Sequence, residues 1–169
     1  GSLIAVQPVA CASAASGRTA RSLLVSVVSH GHRALVQALL DDLARFSAAT
    51  VARVVLTLNL PEALPEAPAG GWPFVLQVVH NAHPWGFGAN HNHALQGATE
   101  PFVCVLNPDV QWAGCDPLGA LVEAAARAGV GCAYPVQCDA AGHPQDSERA
   151  LPTLVALWLR RVLRQQEAR

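Results

Sequence analysis

Short apolar runs alternate with amphipathic stretches along most of the chain. Each run has the length and the apolar, β-branched content typical of a strand buried in a sheet. The predicted strands are Ser22 to Ser29, Arg53 to Leu58, Pro73 to Val79, Phe102 to Leu106 and Val130 to Val136. The fourth of them, FVCVL, is wholly apolar, which predicts a strand covered on both faces.

The stretches between these runs favour helices. Arg33 to Phe46 carries its apolar residues on one helical stripe. A second helix is predicted over Ala89 to Leu95, a third from an Asp116 cap to about Ala128, and a last one over Pro152 to Gln166. Regular alternation of strand and helix predicts one α/β domain with a mostly parallel sheet built from right-handed crossovers.

Residues 1–21 are rich in Ala and Ser and have no clear period. We predict a poorly ordered leader there, and a single domain over residues 22–169. A signal peptide is the alternative, but the stretch lacks a basic start, and Gln7 and Pro8 interrupt its apolar run. The chain contains no Met, which favours a fragment or a processed form. No apolar run approaches the roughly 18 residues that a membrane-spanning helix needs.

Composition narrows the classes of function. The chain has 169 residues, of which 51% are hydrophobic and 14% charged, as is typical of a globular protein. A net charge of −1 argues against a nucleic-acid partner, because nucleic-acid binders usually carry a basic stripe. The chain has no Lys, which excludes a P-loop lysine and a Schiff-base lysine. Its five cysteines form no C-x-x-C pair, so we expect reduced, structural thiols in a cytoplasmic protein.

A Gly-rich loop follows the third predicted strand. Gly86 and Gly88 are expected to adopt backbone geometries closed to other residues and to allow close approach by a ligand. The helix after them would direct its N-terminal amides at anionic oxygens. The loop begins like a dinucleotide fingerprint, but His91 replaces the third glycine and the loop does not follow the first strand. A plain turn stays open as the alternative. Nearby amides favour a ligand, and they belong to Asn81, Asn90 and Asn92.

The fourth predicted strand ends abruptly in Asn107-Pro108-Asp109. In an open α/β sheet, ligands bind beyond the carboxyl ends of the strands. Asp109 is therefore predicted to lie beside the Gly-rich loop. One carboxylate together with diphosphate oxygens and waters suits Mg²⁺ or Mn²⁺. Taken alone, the tripeptide is also compatible with an Asx turn.

Seven histidines raise the question of a zinc site. Six of them form the close pairs His30 with His32, His80 with His83, and His91 with His93. The i, i+2 spacing of the last pair directs its side chains to different helix faces, and cysteine ligands at short spacing are missing. A zinc-binding module is therefore a minor alternative. His30, at the end of the first predicted strand, fits better as a cleft residue close to a nucleotide.

The last predicted helix has an apolar face and arginines toward its end. Its apolar residues are Leu154, Val155, Leu157, Trp158, Val162 and Leu163, and the accompanying arginines are Arg160, Arg161, Arg164 and Arg169. Such a helix can lie on an anionic membrane surface. The simpler interpretation is a helix packed on the sheet, with its arginines in solvent near the helix C-terminus.

Three segments, in this order, resemble one known family. They are Leu24 to His30 (LVSVVSH), Trp85 to Asn92 (WGFGANHN) and Val105 to Val110 (VLNPDV). Together they resemble the family-2 glycosyltransferases, especially the rhamnosyltransferase-like branch that builds bacterial surface polysaccharides. Gly142 to Pro152 (GHPQDSERALP) is similar to a later segment of that branch. The resemblance extends over residues 22–160 or so.

The resemblance implies a GT-A fold, a three-layer α/β/α sandwich with a mostly parallel, Rossmann-like sheet. It implies inverting transfer of a sugar from a nucleoside-diphosphate sugar to a saccharide or lipid-linked acceptor, assisted by Mg²⁺ or Mn²⁺. Asp109 matches the metal-binding Asp of the family's Asp-x-Asp-like motif, and Asn107 stands where its first acidic residue often is. The predicted nucleotide-sugar site comprises Ser29, His30, Asn59, Asn81, Gly86, Phe87, Gly88, Asn90, Asn92 and Asn107.

Two departures from the family pattern limit what the resemblance implies. Family members usually carry an Asp just after the second strand, where this chain has Thr57-Leu58-Asn59, so Asn59 is the nearest substitute. The family's catalytic base is a carboxylate in a later Glu-Asp motif, which this sequence does not contain. Because an inverting transfer needs a base, we expect the donor-binding part of a cytoplasmic transferase, inactive alone, with the base beyond Arg169.

Two further expectations complete the sequence-based hypothesis. The alternative function is a non-catalytic α/β domain that binds a nucleotide or a partner protein. Peripheral contact with the inner membrane is expected only if the last helix lies on a lipid surface rather than on the sheet.

Overall fold

The computed structural model describes residues 4–6, 21–112, 114–135 and 137–138. Strands and helices both recur along these residues, but strands also follow one another without a helix between them, so the regular alternation predicted from the sequence is only partly met. The elements are β1 (Ile4–Val6), β2 (Leu23–Ser29), α1 (Arg33–Phe46), β3 (Val51–Leu58), β4 (Val75–His80), α2 (Phe87–Leu95), β5 (Phe102–Leu106), β6 (Val110–Trp112), α3 (Pro117–Ala125) and β7 (Gln137–Cys138).

Four of the strands form a parallel sheet in the order β4-β3-β2-β5. Helix α1 connects β2 to β3, and α2 lies between β4 and β5 in the chain. Because the strands run in the same direction, their carboxyl ends meet at one edge of the sheet. These ends are Ser29, Leu58, His80 and Leu106. The predicted α/β class with a parallel sheet is confirmed.

Alternate residues of the central strands supply two apolar clusters, one on each face of the sheet. On one face, Val27 and Leu56 pack with the buried stripe of α1. On the other, Leu24 and Val55 pack with Ala94 of α2. Complete burial of one such Val or Leu side chain contributes about 1.5–3 kcal/mol. Burial also raises the pKa of the Cys104 thiol to about 11, so this cysteine stays protonated at neutral pH.

A second, smaller sheet has the order β6-β1-β7. Strand β1 runs parallel to β6 and antiparallel to β7. It belongs to the segment predicted as a leader, whose residues 1–3 and 7–20 lie outside the described part of the chain. Helix α3 begins as predicted, with Pro117 after an Asp116 cap, but it ends at Ala125 rather than near Ala128.

The prediction of a strand over Val130 to Val136 is wrong for residues 130–135, which adopt no regular structure. Val130 and Tyr134 are exposed, at 40% and 56%. Gly131 weakens a strand and Pro135 lacks the N–H that a ladder needs, so apolar content alone was misleading. Val136 and the predicted last helix, with the similar segment Gly142 to Pro152, lie outside the described residues.

Strand β5 forms where it was predicted, but it is not covered on both faces. Val103 and Val105 are 51% and 44% exposed. The reason is that β5 is the edge strand of the four-stranded sheet, while α2 packs mainly over β2 and β3. In the part of the chain that is described, no helix combines the length and the apolar character required to cross a bilayer.

Candidate functional site

A cleft of about 310 Å³ opens at the carboxyl edge of the sheet, beyond the ends of β2 and β5. It lies where ligands bind in open α/β sheets. Four of the predicted site residues line it, and they are His30, Phe87, Asn107 and Asp109. The sequence-based prediction missed the other lining residues, which are Val28, His32, Leu35, His91 and Pro108.

Asp109 brings a carboxylate into this cleft. A turn after β5, in which the Val110 N–H donates to the Asn107 carbonyl oxygen at 3.3 Å, sets its position. The Asp109 Oδ1 atom is buried and has no hydrogen-bond partner. An unsatisfied buried acceptor costs about 1–3 kcal/mol, and more when it is charged. A bound cation would supply the missing partner, so this oxygen fits the metal-ligand role predicted for Asp109.

The metal ligands that accompany Asp109 do not come from a protein cage within the described residues. No group of three or more His, Cys, Asp or Glu side chains comes together there. A hard divalent cation such as Mg²⁺ commonly keeps several waters and is held by one or two carboxylates plus substrate phosphates. The single carboxylate in the cleft fits that kind of site.

His91 is the buried histidine of the cleft, with only 4% of its surface exposed. Its Nδ1 lies 2.8 Å from the Ser26 hydroxyl oxygen, in the middle of β2. Its Nε2 is buried and unpartnered. Burial lowers the pKa of His91 below the ordinary 6.5, so the ring is neutral at pH 7. His93 is exposed and contacts the Trp85 ring instead, which confirms that the two histidines lie on different helix faces.

An aromatic ring covers His91 at the mouth of the cleft. The Phe87 ring packs edge-on against the imidazole, with ring centroids 4.4 Å apart. Phe87 is nevertheless 59% exposed. Single exposed apolar side chains are common on protein surfaces, but this ring also lines the cleft. Phe87 therefore offers a surface for the apolar side of a ligand.

Three asparagines hold the loop that leads into α2. Asn59, 1% exposed, accepts through Oδ1 from the Trp85 N–H at 2.8 Å and from Asn81 Nδ2 at 2.7 Å. Its Nδ2 donates to the Trp85 carbonyl oxygen at 3.0 Å. Asn81 Nδ2 also donates to Asn90 Oδ1, and Asn90 Nδ2 donates to the same Trp85 oxygen. These amides are engaged with the protein, so in this structure they shape the loop, and their contact with a nucleotide stays a prediction.

His30 connects this network to the cleft. Asn59 Nδ2 lies 3.0 Å from His30 Nδ1 and 3.4 Å from His30 Nε2, and because an amide nitrogen can only donate, the imidazole is the acceptor. The buried Ser29 hydroxyl accepts from the His32 N–H at 3.1 Å and so fixes the turn after β2. That turn requires a left-handed residue, which Gly31 provides with a φ of 81°.

The two glycines of the loop differ from the prediction. Gly86 has a φ of −68° and caps α2, and Gly88 lies in the first turn of the helix. Neither is among the described residues with positive φ, so the expectation of a special backbone geometry is wrong. A Cβ atom on either glycine would meet nothing within 4 Å, which leaves the approach to these amides open. Asn92 is exposed on α2 and does not line the cleft.

Comparisons of the chain with known protein families, curated proteins and solved structures found no match. The chemistry of the cleft is therefore the basis for assigning a function. Among the described residues that line it, one is a carboxylate, three are imidazoles and one is an exposed aromatic ring. That set can bind a cation and hydrogen-bond to oxygens while one wall contacts an apolar group.

Proposed function

We propose that this chain is the donor-binding part of a GT-A type glycosyltransferase, resembling the rhamnosyltransferase-like branch of family 2. It binds a nucleoside-diphosphate sugar in the cleft, with Mg²⁺ or Mn²⁺ held between Asp109 and the diphosphate. The acceptor is a saccharide or a lipid-linked saccharide. The cytoplasm is the expected place of action, since nucleoside-diphosphate sugars are the proposed donors.

The observation that carries this proposal is the unpartnered Asp109 Oδ1 atom in the cleft. A divalent cation neutralises the charge that develops on a diphosphate leaving group, and it binds oxygen ligands. Asp109 holds such an ion, while the diphosphate and water supply its other ligands. Neutralisation of the leaving group is the chemistry that the ion provides.

The surroundings of Asp109 support a diphosphate as the ligand that both the cation and the N-terminus of α2 would contact. Helix α2 starts at Phe87, a residue of the cleft, so its free N–H groups lie at the same edge of the sheet. A helix N-terminus favours anionic oxygens. His30 and Phe87 then stand beside the nucleotide and the sugar.

A non-catalytic nucleotide-binding domain is the second candidate, and one observation favours it. Asp109 is the one carboxylate among the described residues of the cleft, and the proposed metal occupies it. An inverting transfer needs a separate base within hydrogen-bond reach of the acceptor. The transferase proposal therefore places that base outside the described residues of the cleft, and the binding-domain candidate needs none.

Titration calorimetry with uridine, thymidine and guanosine diphosphates, with and without Mn²⁺, tests the binding step. We expect Mn²⁺-dependent binding of at least one of them, and its loss in Asp109→Ala. The matched control is Asp41→Ala, since Asp41 is exposed on α1 and hydrogen-bonds only to Gln37 in the described structure. Absence of binding, or binding that Asp109→Ala leaves unchanged, contradicts the proposal.

A second assay separates the two candidates. The protein encoded by the whole reading frame is supplied with a nucleoside-diphosphate sugar and Mn²⁺, and release of nucleoside diphosphate is followed with a saccharide acceptor. Turnover that requires a carboxylate other than Asp109 supports the transferase. Binding without turnover supports the non-catalytic domain.

A further inference from the structure

His91 has no role in the function proposed above, yet it is the most deeply buried polar side chain of the cleft lining. Its Nδ1 has a partner, Ser26, and its Nε2 has none. Ser26 is fully buried, so its hydroxyl is not a nucleophile exposed to substrate. The pair therefore positions a nitrogen at the cleft and does not perform covalent catalysis.

The hydrogen-bond chain has two arrangements, and they differ in what Nε2 offers. If Ser26 donates to Nδ1, the ring hydrogen lies on Nε2, which becomes a donor. If Nδ1 donates to Ser26, Nε2 is a bare acceptor. Burial keeps the ring neutral, so only one nitrogen carries a hydrogen at neutral pH. Oxygens of a diphosphate accept hydrogen bonds and do not donate them, so they select the first arrangement.

We propose that His91 is a ligand-binding residue whose Nε2–H donates to an oxygen of the bound diphosphate, with Ser26 as the positioning residue that holds Nδ1. This inference depends on the proposed function for the class of ligand. In the free protein Nε2 is covered, so the ligand reaches it after a side-chain shift. The exposed Phe87 ring, which contacts the imidazole, is the neighbour with the most freedom to move.

Two substitutions separate a ligand contact from a structural one. In His91→Gln the side-chain amide reaches the position of Nε2, while in His91→Asn it reaches the position of Nδ1. We expect His91→Gln to keep Mn²⁺-dependent nucleoside-diphosphate affinity within about threefold. We expect His91→Asn and His91→Ala to weaken it roughly 10-fold or more, as for the loss of one hydrogen bond to a charged group. Wild-type affinity in His91→Asn with a loss in His91→Gln assigns His91 to the Ser26 contact alone and overturns the inference.

Nitrogen NMR of the histidine rings tests the inference even if a variant folds poorly. With inorganic pyrophosphate and diamagnetic Mg²⁺ added to the wild-type chain, we expect the Nε2–H tautomer of His91 and a shift of its Nε2 signal relative to the free protein. An Nδ1–H tautomer, or an Nε2 signal that pyrophosphate leaves unchanged, overturns the inference. If pyrophosphate moves the signal and no nucleoside diphosphate binds, the proposed function fails and the diphosphate contact stands.

Discussion

Replacement of Asp116 by Ala is expected to destabilise the fold strongly, because one carboxylate joins three elements. Its Oδ1 accepts from the Ser47 hydroxyl at 2.6 Å and from the Leu118 N–H at 3.0 Å. Its Oδ2 accepts from the Thr50 hydroxyl at 2.7 Å. Asp116 therefore caps α3 and ties it to the end of α1 and the turn before β3.

The magnitude follows from what each partner loses. Loss of an N-cap costs about 1 kcal/mol. Ser47 is fully buried, and although its oxygen still accepts from Trp112 Nε1, its hydroxyl hydrogen is left without an acceptor, at about 1–3 kcal/mol. Thr50 is partly exposed, so water replaces its lost partner at little cost. We expect a total loss of about 3 kcal/mol in the free energy of unfolding.

Urea unfolding followed by tryptophan fluorescence measures this loss, and Asp116→Asn is the matched control. The asparagine keeps an oxygen for Ser47 and the Leu118 N–H, and its amino group can donate to Thr50. We expect the control to lose less than about 1 kcal/mol, since it retains the cap. A loss below that value in Asp116→Ala would refute the reasoning, because it would show that the three bonds do not act as a buried junction.

Three further predictions concern charges elsewhere. Arg53 and Glu100 form two hydrogen bonds of 2.8 Å, which lower the pKa of Glu100 below 4.5. Glu100→Gln should therefore lower the free energy of unfolding by about 1 kcal/mol at pH 7. In urea titrations, this difference should disappear as the pH falls through the lowered pKa of Glu100. Burial lowers the pKa of His91. As the pH falls from 6.5 to the folded-state pKa, the free energy of unfolding of the wild type should therefore decrease by at most about 1.4 kcal/mol per pH unit. His91→Asn should flatten that slope. Asp109→Ala should leave the metal-free protein as stable as the wild type, or about 1 kcal/mol more stable, because it removes an unsatisfied buried acceptor. Thermal unfolding measures the difference. A loss of stability like that expected for Asp116→Ala would contradict the prediction.

Sequence patterns were sufficient to predict the elements that are fully buried or that bury one regular face. All seven residues of β2 are buried, as its mostly apolar sequence predicts. Helix α1 has the predicted bounds because its apolar stripe is regular and faces a sheet. Asp116 was identified as a cap because capping depends on residues next to each other in the chain. The strand β2, the helix α1 and the Asp116 cap could therefore be predicted from residues close together in the chain.

Features that depend on which elements lie next to a strand could not be predicted from the sequence. An apolar run reads the same for a central strand and for an edge strand, so the exposure of Val103 was not foreseen. The run from Val130 is mostly apolar, but Gly131 and Pro135 weaken it as a strand, and no pattern within the run reveals a partner strand. His91 was missed for the same reason, since its burial depends on the packing of α2 against Ser26 of β2.

The polar groups at the carboxyl edge of the sheet fall into two classes, and the difference supports a ligand. The amides of Asn59, Asn81 and Asn90 find partners within the protein, so the fold can satisfy buried polar atoms at this edge. Asp109 Oδ1 and His91 Nε2 lack partners, and both belong to residues that line the cleft. A third unpartnered atom, Thr57 Oγ1, lies on β3 away from the cleft lining, and a neutral hydroxyl is cheaper to leave unpaired than a carboxylate. A ligand that brings a cation to the carboxylate and an oxygen to the imidazole would satisfy both remaining atoms at once. A metal-bound diphosphate has that chemistry.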